Sequence, residues 1–279
     1  MKHVLIGLVG AGIGQSHTPW LHQQEADRHG IRLVYTTIDS HRHRLGADDL
    51  PALLHWARTL GYRGLNVTHP FKQQIITHLD ELSDQARTVG AVNTVVFDDH
   101  KTTGHNTDVY GFQRAFHEQF PDAPRRHVVQ IGAGGAGAAV THALLALGAR
   151  QITVVDAEPG RARQHADRFG ITAASTTRLT ALLDTADGVI NATPVGMDHH
   201  PGSPVPPGCL RPDLWVADLV YRPADTALLR AARAAGAPTL PGVAMSVHQA
   251  VAAFELFTGR PAVPAAMLAD SAELLRTGR

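Results

Sequence analysis

One stretch, residues 128–156, restricts what this chain can fold into more than any other part of the sequence. It begins with an apolar run, Val128–Ile131, that is short enough for a buried strand and leads straight into the glycines of residues 132–137. Small apolar residues then dominate Ala136–Leu147, which predicts a helix able to lie flat on a sheet. A second apolar run, Gln151–Val155, completes a βαβ unit, and the stretch therefore predicts an α/β fold.

The glycines of this stretch and the acid at its end have the spacing of a dinucleotide-binding unit. Gly132 permits a tight turn, Gly134 lets the backbone approach a pyrophosphate, and Gly137 lets helix and strand pack closely. The free N–H groups at the start of the helix suit phosphate oxygens. Asp156, at the end of the second strand, is placed to accept hydrogen bonds from the hydroxyls of the adenosine ribose.

Asp156 also predicts which dinucleotide binds. A 2′-phosphate on the ribose would meet the like charge of this carboxylate, and the nearest basic residues, Arg161 and Arg163, lie in the next predicted helix. We therefore expect NAD as the cofactor in preference to NADP.

Composition excludes several other kinds of partner. Lysine plus arginine equals aspartate plus glutamate, 25 of each, so no basic field is available to hold nucleic acid or an anionic membrane. No segment approaches the ~20 apolar residues of a membrane span. The single cysteine, Cys209, excludes an internal disulfide and is typical of a reducing compartment. We expect a cytoplasmic protein that acts on a small molecule.

The histidines do not indicate a metal site. There are 18 of them, but they show neither an HExxH pattern nor another paired spacing typical of zinc. His199-His200 lies in a Gly/Pro-rich loop, where we expect it to be solvated. We therefore expect no metal.

The loop after the first predicted strand, Val4–Val9, carries two hydroxyl groups. Thr18 can cap a helix whose first residue is Pro19, and Ser16 lies just before it. The glycines of this loop are too far from the helix for one phosphate to contact both the glycines and the N-terminus of the helix. The two hydroxyls can hold a carboxylate or a polyol, but capping alone explains them equally well.

Two further residues follow predicted strands. After the strand Gly64–Val67, Lys72 falls just inside a predicted helix, near the strand end where ligands bind in open α/β sheets. A surface lysine would satisfy the same pattern. Residues 98–101 predict a hairpin turn, and Asp108 then precedes the helix Val109–Gln119, where an acid also stabilises a helix without any chemistry.

The alternation of strands and helices continues beyond the dinucleotide unit. The strand Gly188–Asn191 ends in a polar, proline-stiffened loop up to Met197, the usual place for contacts to the nicotinamide half of the cofactor. A strand is predicted at Leu214–Leu219, a long helix opens at residues 241–249 and reaches Thr258, and a last helix is predicted at Pro264–Leu275.

Taken together, six motifs resemble those of the shikimate/quinate dehydrogenase family in order and approximate spacing. The Asn-Val-Thr-x-Pro-Phe-Lys and Asn-Thr-Asp elements are together specific to that family, and the match spans nearly the whole chain. The motifs are Ser16-His-Thr-Pro19, Asn66-Val-Thr-His-Pro-Phe-Lys72, Gly90-Ala-Val-Asn-Thr94, Asn106-Thr-Asp108, Asn191-Ala-Thr-Pro-Val-Gly-Met197 and Gln249-Ala250.

The resemblance implies two domains. An N-terminal α/β domain, residues 1–105 completed by the returning helices of residues 243–279, would bind a cyclohexane carboxylate. A Rossmann domain, residues 106–242, would bind the nucleotide. The resemblance does not indicate whether the chain is a monomer or a homodimer.

It also implies roles for individual residues. Lys72 and Asp108 match the catalytic pair, and both also match positions that bind the substrate. The other residues matched to substrate binding are Ser16 and Thr18, at the carboxylate, and Asn66, Thr68, Asn93 and Gln249, around the ring. The residues expected to hold the cofactor are Gly132, Gly134, Gly135, Ala136, Gly137, Asp156, Asn191, Thr193, Pro194, Val195, Met197, Val220 and Gly242.

The chemistry agrees with these residue types. Hydride moves between NAD and the carbon bearing a ring hydroxyl of shikimate or quinate, and the hydroxyl proton needs an acceptor, or a donor in reverse. Lys72 can take that part, and the carboxylate of Asp108 can position both the lysine and the hydroxyl.

Two departures from the biosynthetic members of the family indicate a subtype. NADP-dependent members tend to have Asn-Arg-Thr where this chain has Asp156-Ala-Glu158, so the arginine that clamps a 2′-phosphate is missing. Thr18 replaces the usual serine. Both resemble the NAD-dependent enzymes of quinate and shikimate catabolism. A third change, Gly242-Val-Ala-Met245 in place of the more usual glycine pair before the methionine, falls close to the substrate's ring and leaves the choice of substrate open.

Three alternatives stay open at this point. The chain could be an NADP-dependent biosynthetic shikimate dehydrogenase, or an aminoshikimate or aminoquinate dehydrogenase with the same machinery. It could also be a non-catalytic sensor of NAD or of a shikimate-like ligand, although a pure sensor would need neither Lys72 nor Asp108.

Overall fold

The computed structural model describes residues 3–98 and 101–277. The chain divides into two compact units, one made of Met1–Thr107 with Val247–Arg279 and the other of Asp108–Ser246. The boundaries expected from the sequence, at residues 105/106 and 242/243, lie close to these, and the functional division that they describe stays a prediction.

The first unit is built on a six-stranded mixed sheet with the order β2-β1-β3-β5-β6-β4. The pairs β1–β2, β1–β3 and β4–β6 are parallel, whereas β3–β5 and β5–β6 are antiparallel. The elements up to this point in the chain are β1 (His3–Gly10), α1 (Thr18–Arg28), β2 (Arg32–Asp39), α2 (Ser40–His43), α3 (Leu50–Thr59), β3 (Gly64–Val67), β4 (Glu81–Leu82), α4 (Asp84–Val89), β5 (Thr94–Phe97) and β6 (Thr102–His105).

Apolar packing on both faces of this sheet fixes its central strands. One face buries Val9, Leu65 and Phe71 in a cluster beneath α3. The other face packs Ile6 and Phe257, among others, around the same strands. Because β1 and β3 are parallel neighbours buried from both sides, their carboxyl ends are held side by side at one edge of the sheet.

The second unit is a six-stranded sheet in which every pair is parallel, with the order β12-β11-β10-β7-β8-β9. Its elements are α5 (Asp108–Gln119), β7 (His127–Ile131), α6 (Gly135–Ala146), β8 (Gln151–Val155), α7 (Pro159–Phe169), β9 (Thr172–Ala174), α8 (Leu179–Leu183), β10 (Gly188–Asn191), β11 (Trp215–Asp218), α9 (Ala227–Ala234) and β12 (Thr239–Pro241). The chain returns to the first unit within α10 (Gly242–Thr258) and ends with α11 (Pro264–Thr277).

The strand order confirms the α/β fold and the Rossmann unit predicted from residues 128–156. The chain starts at β7, winds outward through β8 and β9, and then crosses back to β10 on the other side of β7. This reversal creates a switch point between β7 and β10, and ligands of open parallel sheets bind at the carboxyl ends of the strands at such a point.

Two local predictions are wrong. Thr18 is not the N-cap of α1 but its first residue: the N-cap is His17, and the hydroxyl of Ser16 accepts the N–H of Thr18 at 3.3 Å. Lys72 does not begin a helix. It lies in a turn that the buried Phe71 anchors, with the N–H of Phe71 bonded to the carbonyl of Thr68 at 2.9 Å, and a 3-10 helix follows only at Gln74–His78.

The predicted hairpin and the expected lack of a membrane span can each be compared with the described residues. The hairpin predicted at residues 98–101 includes residues 99 and 100, which lie outside the described residues, although β5 and β6 on either side do pair antiparallel. Within residues 3–98 and 101–277, no helix has the length and hydropathy needed to cross a bilayer.

A close backbone approach at Gly10 joins the end of β1 to the loop after β3. The N–H of Thr68 donates to the carbonyl of Val9 at 2.9 Å, and the N–H of Ala11 donates to the carbonyl of His69 at 2.8 Å. A methyl group on Gly10 would lie 2.2 Å from Cγ2 of Thr68 and 2.9 Å from the carbonyl oxygen of His69. Only glycine therefore lets the two loops touch.

We expect Gly10→Ala to lower the free energy of unfolding by about 1–3 kcal/mol, because the added methyl forces the two loops apart. The matched control is Gly14→Ala in the same loop, where no atom lies within 4 Å of the added methyl. The control should change stability by no more than about 0.5 kcal/mol. Urea unfolding of both variants measures the difference, and equal stabilities would contradict the close approach.

Candidate active site

The hydroxyls of Ser16 and Thr18 lie side by side in the first unit. Ser16 Oγ donates to Thr18 Oγ1 at 3.2 Å, and the N–H of Ser16 donates to the carbonyl of Ile13 at 3.0 Å. Both side chains are half-buried. Because Ser16 directs its proton to Thr18, the hydroxyl of Thr18 keeps its own proton for another acceptor. The arrangement suits the carboxylate predicted for this loop.

Asp39, which the sequence reasoning missed, holds this loop in place. Its Oδ1 accepts the N–H of Gly12 at 3.1 Å and its Oδ2 accepts the N–H of Ile13 at 3.0 Å, while His41 donates its N–H to Oδ1 at 3.0 Å. Burial raises the pKa of Asp39, but these backbone donors and that of Arg42 outweigh it and hold the pKa below its ordinary value. The ionised carboxylate is therefore the form that orders the loop.

Asn66 is buried in β3 with its side-chain amide fixed in orientation. Tyr35 donates its hydroxyl to Asn66 Oδ1 at 2.7 Å, and Asn66 Nδ2 donates to Thr94 Oγ1 at 3.1 Å. Burial raises the pKa of Tyr35 well above its ordinary value, which keeps the phenol protonated and able to donate. Tyr35 was not predicted as part of the site, since it lies 31 residues from Asn66 in the sequence.

Asn93 and Gln249 are brought together by a third residue, Thr107. Asn93 Nδ2 donates to Thr107 Oγ1 at 2.9 Å, and the N–H of Thr107 donates to Asn93 Oδ1 at 2.8 Å. Gln249 Oε1 lies 3.5 Å from Asn93 Nδ2 and 3.4 Å from Thr107 Oγ1. A side chain from α10 therefore joins a polar cluster at the start of β5, as the predicted substrate set requires.

The backbone places Thr68 and Lys72 beside this cluster. The N–H of Val92, next to Asn93, donates to the carbonyl of Lys72 at 2.7 Å, and Thr68 is tied to the end of β1 through the carbonyl of Val9. Lys72 is half-buried. Asp108, its predicted catalytic partner, is the buried first residue of α5 and belongs to the second unit.

The glycine-rich loop of the second unit has the geometry that its sequence predicts. Gly132 has a φ of +103°, and a methyl group there would lie 2.7 Å from the carbonyl oxygen of Ala192. A methyl group on Gly137 would lie 2.4 Å from the carbonyl oxygen of Gly132. Gly134, at the N-cap of α6, has no atom within 4 Å of the position that a methyl would take. The open space at the helix start fits a pyrophosphate, with Gly135 and Ala136 in the first turn.

Asp156 is buried at the end of β8, with its carboxylate against this loop. Its Oδ2 accepts the N–H of Ala133 at 2.9 Å and its Oδ1 accepts the N–H of Glu158 at 2.9 Å. Arg161 does lie in the following helix, as expected, but in its first turn, and its Nη1 is 3.7 Å from Asp156 Oδ1. A guanidinium therefore lies closer to the carboxylate of Asp156 than the sequence indicated.

Asn191 organises the loop predicted to contact the nicotinamide half. Its Oδ1 accepts the N–H of Thr193 at 3.0 Å, and its Nδ2 donates to the carbonyl of Val195 at 2.8 Å and to Asp218 Oδ1 at 2.9 Å. Asp218 in turn accepts the N–H of Val220 at 3.1 Å. The predicted residues of two neighbouring loops are thus joined by one buried amide and one buried carboxylate.

The remaining predicted cofactor residues lie in or beside these two loops. Pro194 is exposed, and its carbonyl accepts the N–H of Met197 at 3.1 Å. Gly242 begins α10, and a methyl there would lie 2.6 Å from the carbonyl oxygen of Leu219 and 2.7 Å from that of Val220. Gly242 is therefore a close-approach position beside Val220.

Asp218, which the sequence reasoning also missed, is buried at the end of β11. Burial raises its pKa, while the hydroxyl of Thr226, the N–H of Val220 and the amide of Asn191 act in the opposite direction. Its position near the carboxyl end of a predicted strand could have indicated a site residue, because ligands of open parallel sheets bind at such ends.

Across the described parts of the chain, no group of three or more histidine, cysteine, aspartate or glutamate side chains is arranged to hold a metal ion. The rings of His199 and His200 lie 4.8 Å apart in an exposed loop.

Comparison with known families matches three domains along the chain. Residues 8–95 match the shikimate dehydrogenase substrate-binding domain, residues 114–196 match the shikimate/quinate 5-dehydrogenase domain, and residues 242–269 match the shikimate 5′-dehydrogenase C-terminal domain.

Individual relatives are similar over nearly their full lengths. A shikimate dehydrogenase (NADP+) of Streptomyces avermitilis is 54% identical over 98% of this chain and 96% of its own. A quinate/shikimate dehydrogenase (NAD+) of Corynebacterium glutamicum is 47% identical over 92% of this chain and 93% of its own. The solved structure of quinate dehydrogenase from C. glutamicum in complex with NAD is 44% identical, covers 98% of this chain and 100% of its own, and superposes with a TM-score of 0.93.

The role of Asp39 predicts a specific dependence of stability on pH. Because its pKa is lower in the folded protein, its contribution is present above the ordinary value of 3.8 and is lost as the pH falls through the lowered value. Asp39→Asn removes one acceptor and leaves backbone N–H groups unpaired, so we expect Tm at neutral pH to fall by a few degrees.

The measurement is thermal unfolding from neutral to acid pH. The gap between wild type and Asp39→Asn should narrow as the pH approaches the lowered pKa, whereas the exposed Asp27→Asn should track wild type throughout. A gap of constant size across the whole range would show that the charge of Asp39 does not order the loop.

Proposed function

The chain belongs to the shikimate/quinate dehydrogenase family, and we propose that it is an NAD-dependent member acting on quinate or shikimate. It is an oxidoreductase that moves a hydride between a nicotinamide dinucleotide and a ring hydroxyl of such an acid, giving 3-dehydroquinate or 3-dehydroshikimate in the oxidative direction. The observation that supports the choice of cofactor is the buried carboxylate of Asp156 against the glycine-rich loop. Cytoplasmic localisation is part of the proposal.

The polar side chains of the first unit match the chemistry of a polyhydroxylated ring acid. Of the paired hydroxyls, Ser16 donates to Thr18, and Thr18 keeps a proton to donate to a carboxylate. The amides of Asn66, Asn93 and Gln249 each carry donors and acceptors, which suits ring hydroxyls that both give and accept hydrogen bonds. Thr68, beside the end of β1, adds a further hydroxyl.

Lys72 and Asp108 carry the proton chemistry in this proposal. When bound, the nicotinamide ring accepts or donates the hydride. As the ring carbon loses its hydride, Lys72 Nζ would accept the proton of the hydroxyl on that carbon, whose oxygen becomes the ketone oxygen, and in reverse it would return that proton to the ketone oxygen. The carboxylate of Asp108 is the second member of the pair and would orient the hydroxyl. Retention of both residues favours an enzyme over a sensor of the same ligands.

The second unit would hold the dinucleotide at the switch point of its sheet. The start of α6 would receive the pyrophosphate, and Asp156 would accept the ribose hydroxyls. The loop organised by Asn191, with Thr193, Pro194, Val195 and Met197, would line the nicotinamide half, and Val220 and Gly242 would complete that end.

NADP is the second candidate, and one observation favours it. Arg161 Nη1 lies 3.7 Å from Asp156 Oδ1, where a guanidinium can pair with a 2′-phosphate. The similar protein of S. avermitilis is named for NADP+, whereas that of C. glutamicum is named for NAD+. We favour NAD because Asp156 repels a 2′-phosphate and because residue 157 is an exposed alanine rather than an arginine.

Lys72→Ala tests the proton chemistry. We expect kcat to fall by about 10²–10⁴-fold, because general acid–base catalysis contributes about that much, while substrate Kd changes far less. The matched control is Lys101→Ala, a surface lysine paired with Glu81, which should leave both quantities unchanged. Equal losses of turnover and of binding for Lys72→Ala would show that the lysine only anchors substrate.

Initial rates with each acid and each dinucleotide test the substrate and the cofactor. Wild type should turn over quinate or shikimate faster with NAD than with NADP. The double variant Asp156→Asn/Ala157→Arg should shift the ratio of kcat/KM towards NADP by about 10–100-fold, since it exchanges a repelling carboxylate for a clamping guanidinium. A wild-type preference for NADP would overturn the cofactor assignment, and no rate on either acid would make amino-substituted rings the substrates to test next.

A further inference from the structure

Three polar side chains lie in the core of the second unit, directly beneath the glycine-rich loop. Gln130 on β7 and Thr141 on α6 are fully buried, and His165 on α7 is 6% exposed. None of them has a part in the proposed reaction. Apolar side chains of the same shape would avoid the cost of removing polar groups from water, so the presence of three such groups in one place calls for a physical role.

These residues form one continuous chain of hydrogen bonds. Gln130 Nε2 donates to the carbonyl of Gly132 at 2.9 Å, Thr141 Oγ1 donates to Gln130 Oε1 at 2.8 Å, and His165 Nε2 lies 2.8 Å from Thr141 Oγ1. A carbonyl can only accept, which fixes the orientation of the Gln130 amide. The direction of the bond between Thr141 Oγ1 and His165 Nε2 depends on the tautomer of the imidazole ring.

His165 is uncharged at neutral pH. Burial lowers its pKa to about 4, although the carbonyl of Ala133 and the charge of Asp156 act to raise it and that of Arg168 acts to lower it. The neutral ring carries one N–H and can both donate and accept a hydrogen bond.

The chain of hydrogen bonds ends on the peptide group that Asp156 also holds. The carbonyl of Gly132 and the N–H of Ala133 belong to one peptide unit. Gln130 holds its oxygen, and Asp156 Oδ2 accepts its N–H at 2.9 Å. This peptide is thus fixed at both ends, once from the core and once from the ribose position.

Asp156 and α7 complete a closed ring that includes this chain of hydrogen bonds. The second oxygen of Asp156 accepts the N–H of Glu158, the N-cap of α7, and α7 carries His165. Gly137 makes room for the arrangement, because a methyl there would lie 2.9 Å from Gln130 Nε2. A shift anywhere in this ring therefore moves the carboxylate of Asp156.

We propose that Gln130, Thr141 and His165 are positioning residues that fix the Gly132–Ala133 peptide and, through it, aim the carboxylate of Asp156 at the ribose. They act on nucleotide affinity without touching the nucleotide. The inference rests on the proposed function, in that it takes Asp156 as the residue that reads the ribose.

Paired variants of Thr141 test this role in the full-length protein. Thr141→Val has the same shape but leaves Gln130 Oε1 and His165 Nε2 unpaired, so it should raise the Kd of NAD about tenfold. Thr141→Ser keeps the hydroxyl and should restore Kd to within about twofold of wild type. Calorimetric titration measures both, and the Kd of shikimate, bound by the first unit, should stay unchanged in each.

The cofactor preference provides a second readout. Thr141→Val should weaken NAD more than NADP, because Asp156 favours only the free ribose hydroxyl. If Thr141→Val does not fold, Gln130→Met removes the donor to Gly132 from the other end of the chain of hydrogen bonds and should raise the Kd of NAD in the same way. A lower Tm with an unchanged Kd for NAD would make the three residues structural only and would overturn the inference.

Asp156→Ala separates failure of this inference from failure of the proposed function. If Asp156→Ala leaves the Kd of NAD unchanged, Asp156 does not read the ribose, and the cofactor assignment fails with the inference. If Asp156→Ala weakens NAD but Thr141→Val does not, the assignment stands and only the positioning role is contradicted.

Discussion

Each unit depends on a carboxylate that accepts backbone N–H groups from the loop next to it. In the second unit Asp156, at the end of β8, accepts the N–H of Ala133 in the loop that leaves β7. In the first unit Asp39, at the end of β2, accepts the N–H groups of Gly12 and Ile13 in the loop that leaves β1. The strands of each pair are parallel neighbours, so their carboxyl ends lie side by side. A side chain at the end of one strand can therefore accept hydrogen bonds from the loop that follows its neighbour. Charge-assisted bonds of this kind order glycine-rich backbone that would otherwise be free to move.

In the proposed function the same loop anchoring serves different ligands, because the helix after the loop starts at a different distance from the loop glycines in each unit. In the second unit α6 begins at Gly135, directly after the glycines, so its free N–H groups face the open space at Gly134 and suit a phosphate. In the first unit α1 begins only at Thr18, and the residues between the glycines and the helix present hydroxyls instead. The proposed nucleotide site and the proposed carboxylate site thus share one way of anchoring a loop.

The sequence predicts the structure correctly where the structure depends on residues that are close together in the chain. Residues 128–156 predicted the βαβ unit and the geometry of its glycines, because apolar runs and glycine spacing depend on near neighbours. The errors at Thr18 and Lys72 arose where a neighbouring side chain, Ser16 or the buried Phe71, overrode a pattern that favours a helix. Tyr35, Asp39 and Thr107 were missed, and the closeness of Arg161 to Asp156 was not foreseen, because these contacts depend on the tertiary structure. No periodicity shows that the hydroxyl of Tyr35 fixes the amide of Asn66, 31 residues away.

The carboxylate of Asp156 is the proposed reader of the ribose, and a crystal structure of the protein with bound NAD tests this directly. We expect the ribose 2′- and 3′-hydroxyls to lie about 2.5–3.0 Å from the carboxylate oxygens, with the Gly132–Ala133 peptide in its present orientation. A ribose turned away from Asp156, with its hydroxyls bound to water or to Arg161 alone, would contradict the account.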